Sequence, residues 1–125
     1  MIKLLFFISL ILSTLFAQPA WINNPHIDGF IAGIGISDDK NPILKRRIAT
    51  VSARANLAEN IKVEMSSYFK MITITQNNSS ITQSQSLIEQ RANEILVDSF
   101  VKETYEDKNG NFYVLVVLAK SKIQQ

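Results

Sequence analysis

The chain has 125 residues, 46% of them hydrophobic, with 13 Lys plus Arg against 11 Asp plus Glu and a single His. That length suits one domain, and the near-balanced charge offers no strongly basic face to nucleic acid. With no Cys, a disulfide framework, a thiolate metal site and a lipid-bearing thiol are excluded within the sequence.

Lys3 and the apolar run Leu4–Leu12, broken only by Ser9, lead into Ser13-Thr14-Leu15-Phe16-Ala17. A positive start, a short apolar core and a small-residue exit predict a cleaved export signal over residues 1–17, with Ala17 the last residue removed. The run is too short for a membrane span, which needs roughly 20 apolar residues. Residues 18–29, QPAWINNPHIDG, read as an irregular lead-in. A single domain is expected over 30–120, with 121–125 as a tail.

Phe30–Ile36 is a strand by composition, with Phe30, Ala32, Ile34 and Ile36 on one face and Ile31, Gly33 and Gly35 on the other. Two glycines on one face let another element approach closely. Asn41 and Pro42 then read as the cap and first residue of a helix running to about Ile61. Leu44, Ile48, Val51, Ala55 and Ala58 recur at spacings of 4, 3, 4 and 3, the stripe expected to meet the glycine face. Ala49, Ala53 and Leu57 form a second, weaker row on the other side. The simpler reading is that Ala is a good helix former and Leu57 an incidental surface residue; the other is an oligomer contact.

Val63, Met65, Phe69 and Met71 alternate with Lys62, Glu64, Tyr68 and Lys70, which predicts a half-buried strand ending near 71–72. Residues 75–86 hold eleven uncharged polar residues in twelve, a loop or the exposed start of a helix. Ile81, Ile88, Ala92 and Ile95 mark that second helix. Leu96–Tyr105 and Phe112–Ala119 read as strands joined through an Asn109-Gly110 turn. The eight successive apolar residues of the latter require burial on both faces or cover at an interface. The expected fold is α+β: one long and one shorter helix on a small, largely antiparallel sheet of about four strands, in the order β-α-β-α-β-β.

Catalytic signals are sparse. His26 and Asp28 could orient an imidazole for proton transfer, although a surface His beside a turn-forming Asp is the simpler account. Asp38-Asp39 reads as a solvated turn rather than a cation site. Gly33-Ile34-Gly35 lacks the third glycine of a dinucleotide fingerprint and the Gly-Lys-Ser/Thr of a P-loop. No cofactor or metal is expected. Lys45-Arg46-Arg47 with Arg54 is the one basic cluster. Arg47 and Arg54 fall about 20° apart on a helix, where they could meet phosphate groups of a lipid or an acidic partner, although a solvated flank is the simpler reading. A pocket lined by Phe69, Met71 and Phe112, large enough for a small apolar or lipid-like ligand, is a second possibility.

Several landmarks coincide in order: Pro19-Ala20-Trp21, the Gly33-Ile34-Gly35 strand, the helix Ala49–Ala58 running into Ile61-Lys62-Val63, and Asn109–Val116 at the end. Together, over residues 19–119, they resemble the LPP-twenty (LPP20) lipoprotein family, relatives of the flagellar proteins FlgP and FlgT. The resemblance implies a non-enzymatic α+β envelope domain, placed at the outer membrane or around the flagellar motor. Trp21, Gly33, Gly35, Arg54 and Tyr113 match the family pattern as structural positions. The chain departs from lipoprotein members in lacking the lipid-accepting Cys, which favours a periplasmic or secreted form. The resulting expectation is an exported interaction or assembly module with protein partners in the envelope, itself among them. Its contact surface is expected on Ala49, Ala53 and Leu57, flanked by Arg47 and Arg54.

Overall fold

A computed structural model describes residues 18–76 and 81–123, the side chains of 71–76 and 81–84 excepted. The export signal, the side chains of Met71 and Ile81, and the last two residues lie outside the described residues. The elements are α1 (Ala20–Asn23), β1 (Phe30–Ser37), α2 (Pro42–Gln76), α3 (Ile81–Ile95), β2 (Phe100–Glu106) and β3 (Phe112–Ala119), with 3-10 turns at Leu96–Asp98 and Lys120–Lys122. The fold is α+β, a long and a shorter helix on an antiparallel sheet of three strands in the order β1-β3-β2.

β3 lies in the centre of the sheet and is an unbroken apolar run on both faces. Val114 to Leu118 are buried without exception. Val114, Val116 and Leu118 join the cluster under α2, whereas Leu115 and Val117 join Trp21 and Ala32 on the opposite side. That second side is covered by the segment expected to be irregular, which contains one turn of helix. It lays Trp21 across the sheet, with Ile22 and Ile27 beside it.

β1 and α2 fit through their missing side chains. β1 pairs with β3 from Phe30↔Ala119 to Ser37↔Phe112, which turns Ile31, Gly33 and Gly35 toward α2. A Cβ on Gly35 would fall onto the backbone O of Ala49 and N of Ala53. One on Gly33 would lie 2.5 Å from the Ala53 O and 2.6 Å from the Leu57 Cα. The helix therefore runs antiparallel to the strand, one helical turn per glycine. The pitch matches: four helical residues advance about 6.0 Å and two strand residues about 6.7 Å.

This contact reverses the expected sides of the helix. Ala49, Ala53 and Leu57 are fully buried at 0% exposure, while Leu44 (44%), Ile48 (44%) and Val51 (63%) face outward. The physical reason is distance. A strand without Cβ atoms draws in a helix only along its smallest row, and Ala49 and Ala53 supply it, whereas Leu44 and Ile48 would hold the backbones apart.

The expected strand over 62–71 is also corrected, since α2 continues through it to Gln76. Ile61 and Met65 extend the Ala49-Ala53-Leu57 row in steps of four and are fully buried. Val63, inward in the strand reading, is exposed. No Gly or Pro interrupts residues 43–76, so each added residue gains a helical hydrogen bond with no new nucleation. A row of i+4 steps drifts by about 40° per step. The buried side consequently turns from the sheet toward α3, where Ile88, Ala92 and Ile95 complete the core.

The helix start follows expectation: Asn41 Oδ1 accepts the N–H groups of Ile43 (3.0 Å) and Leu44 (3.2 Å). Two further Asn side chains seal the outer edge of β1. The Ile34 N–H donates to Asn56 Oδ1 (3.0 Å), and Asn60 Nδ2 donates to the Ala32 carbonyl (2.8 Å). Asn56→Ala is expected to cost about 1 kcal/mol and to speed exchange of the Ile34 amide hydrogen. Unchanged exchange would show that water replaces the side chain without loss.

The β2–β3 hairpin closes through a three-residue loop rather than a two-residue Asn-Gly turn. Gly110 sits at φ +87° and its N–H donates to the Asp107 carbonyl (3.2 Å), a tight turn followed by a left-handed residue. Asp107 organises it: the Asn111 side chain, the Asn111 N–H and the Asn109 N–H all donate to its carboxylate. These bonds, the Asn111 side chain first, hold its pKa below the ordinary 3.8. A depressed carboxyl pKa means the carboxylate form stabilises the fold. That contribution is complete above the unfolded-state value and is lost as pH falls through the lower folded value. The stability gap between wild type and Asp107→Ala is therefore expected to narrow only below about pH 4, measured by urea unfolding across pH 2–6. A constant gap would remove the carboxylate from the hairpin's stability.

Candidate functional site

The expected contact surface divides. Ala49, Ala53 and Leu57 have no exposed area and can meet nothing outside the domain. They are the seat of β1. Arg47 and Arg54 are exposed, and no ion pair engages either of them among the described residues. The neighbouring cations are occupied: Lys45 Nζ bonds Glu106 Oε1 at 3.2 Å, and the Arg46 guanidinium stacks 4.9 Å from the Phe112 ring centre.

What Arg47 and Arg54 flank is the row that sequence reasoning sent to the core. Leu44, Ile48, Val51 and Ala55 lie about 180° around α2 from Ala49, Ala53 and Leu57, at 100° per residue. They form an apolar stripe on the solvent side of a helix whose buried side is itself apolar. Isolated exposed aliphatics are ordinary. A row in successive turns, bordered by two unpaired guanidinium groups, has the composition of a contact surface. The sequence signal for it was present as periodicity. Periodicity does not say which of two apolar rows faces the sheet.

The other candidates resolve simply. His26 Nε2 and Asp28 Oδ1 do approach to 3.1 Å, but both side chains stand in solvent. Such a pair has no enclosed reacting position beside it. Among the described residues no group of three His, Asp or Glu could hold a metal ion. Phe69 and Phe112 do not share a pocket. Phe112 is buried under α2, and Phe69 lines an open cleft of about 230 Å³ with Leu87, Gln90, Arg91 and Glu94. A second open cleft of about 240 Å³ runs beside β1, between Pro25, His26, Asn60, Glu64 and Lys120.

The family positions gather at the sheet. Gly33 and Gly35 seat the helix, Trp21 is buried on the opposite face, and Tyr113 stands half-buried with its ring 6.2 Å from that of Tyr105. Arg54 alone among them points outward. A family model described as LPP20 lipoprotein matches residues 19–119, from the residue before α1 to the last residue of β3. The chain belongs to the LPP20 lipoprotein family. Among curated proteins none matches it. Membership of the LPP20 lipoprotein family implies export to the cell envelope, and it is not known as a family of enzymes. No described helix is long and apolar enough to cross a membrane.

Proposed function

We propose that this LPP20 protein is a non-enzymatic assembly module of the cell envelope, binding a protein partner through the solvent side of α2. The observation that carries the reading is the exposed Leu44–Ile48–Val51 row bordered by Arg47 and Arg54. Residues 1–17 serve as the export signal, and residues 30–120 form the working domain in the periplasm. No cysteine among the 125 residues can carry a thioether-linked lipid, which favours attachment to the envelope through protein contacts. The resemblance to FlgP and FlgT relatives makes outer-membrane and flagellar-motor structures the assemblies to probe first.

The stripe suits an amphipathic helix or apolar groove with acidic groups at its border. Aliphatic side chains supply buried area, and the two guanidinium groups select orientation more than they add affinity. The experiment places a photo-reactive amino acid at Val51 in living cells, with Lys108 on the β2–β3 turn as control. Capture of a defined envelope protein from Val51 but not Lys108, abolished by Ile48→Asp, is the expected result. Equal capture from both positions, or none from Val51 in a stably expressed protein, overturns the proposal.

A further inference from the structure

We infer that the outer edge of β2 pairs antiparallel with β2 of a second copy, in the register that sets Thr104 opposite Thr104. The surface is distinct from the α2 row and does not depend on it. The two edges of the sheet are treated differently by the fold. Asn56 and Asn60 occupy β1's edge, whereas β2 is bonded on one side only, to β3. No backbone hydrogen bond reaches its outer side among the described residues. Neither helix covers it: every residue of β2 is exposed except half-buried Tyr105, and Phe100 (49%) and Val101 (41%) are apolar. An uncovered edge of this kind is a template for another strand.

The turn determines which backbone groups are on offer. The Asp107 N–H donates to the Asn111 carbonyl at 2.9 Å, so the backbone groups of Asp107 point at β3. Alternation then turns those of Thr104 and Glu106 outward. Three registers bring outward groups opposite one another near the strand's centre. Centring on Glu103 sets two Glu103 carboxylates face to face. Centring on Tyr105 sets Glu103 opposite Asp107. Centring on Thr104 sets Thr104 opposite Thr104 and Lys102 opposite Glu106 twice, pairs of the kinds that stabilise antiparallel ladders. Glu106 holds Lys45 of its own chain through Oε1 and offers its other oxygen to the second copy. Charge thus selects one register of the three. The bulge between Val101 and Glu103 ends the ladder at Lys102, so the contact is short and the dimer is expected to be weak, with a dissociation constant in the micromolar range.

The absence of native Cys makes the test clean. Thr104→Cys carries one thiol, placed on the two-fold axis about 5.5 Å Cα to Cα from its mate, within bridging range. Glu103→Cys is offset by two residues, roughly 8 Å from its mate and outside that range. Mild oxidation of the purified protein is expected to link Thr104→Cys into dimers at least tenfold faster than Glu103→Cys. Adding Lys102→Glu to Thr104→Cys is expected to remove most of that advantage. Sedimentation of the unmodified protein should show concentration-dependent dimers that survive Val51→Asp. Monomers at every concentration would identify the bulge and Lys102 as an edge guard and overturn the inference. Equal linking of both cysteines overturns the register, and a dimer abolished by Val51→Asp overturns the edge in favour of α2.

Discussion

Gly35→Ala is expected to destabilise the domain by about 3 kcal/mol, the upper part of the range for overpacking a filled core. The added methyl lands on the carbonyl O of Ala49 and the N of Ala53. These are backbone atoms of a continuous helix, so no side chain can swing aside. α2 must lift from β1, loosening Ala49, Ala53 and Leu57 together. A specific corollary separates this from an ordinary core clash. Adding Ala53→Gly removes a methyl from the helix but none of the atoms that collide, so it should not rescue Gly35→Ala. Chemical denaturation of the single and double variants checks both statements. A Gly35→Ala loss below 1 kcal/mol, or full rescue by Ala53→Gly, would mean the helix does not rest on the strand's backbone. At Gly33 the same collision is with Leu57 and Ala53, and Gly33→Ala should behave alike.

The second large effect distinguishes the two apolar rows of α2. Leu57→Ala is expected to cost about 3 kcal/mol, because the side chain is wholly buried and the surrounding helix and strand cannot close the space. Val51→Ala, six residues earlier and nearly two-thirds exposed, should change stability by about 0.5 kcal/mol or less. The functional consequences are expected in the opposite order. Val51→Asp should leave the fold and its unfolding midpoint nearly unchanged while removing partner capture. Leu57→Ala should lose capture only in proportion to the unfolded fraction. If Val51→Asp unfolds the protein, the stripe is core and the proposed function has no surface to act through.

These two experiments also mark where the sequence could be read and where it could not. The glycine-faced strand, the Asn41 cap, the doubly buried β3 and the second helix were legible, since each depends on local chemistry: missing side chains, a capping oxygen, an unbroken apolar run. The side of α2 was not. Two rows satisfy helical periodicity there, and the larger residues suggested the core by hydrophobicity alone. The decision lies with the glycines 14 to 24 positions away from the row they select. A close approach of backbones admits Ala49 and Ala53 and rejects Leu44 and Ile48. The continuation of α2 through 62–71 was hidden in the same way. Met65 and Phe69 satisfy a period of two and a step of four equally, and only the presence of α3 rewards the step of four.

Local sequence by itself determined the glycine-faced strand, the Asn41 start of α2, the second helix and the two strands of the hairpin, the lack of any thiol among the 125 residues, and the family to which the chain belongs. Tertiary structure alone decided which helix row is buried, that Asn56 and Asn60 seal one sheet edge while the other stays open, and that the sheet has three strands. The reason is common to all three. Periodicity reports that a residue has a side to hide, but which side is hidden depends on the shape of what it meets.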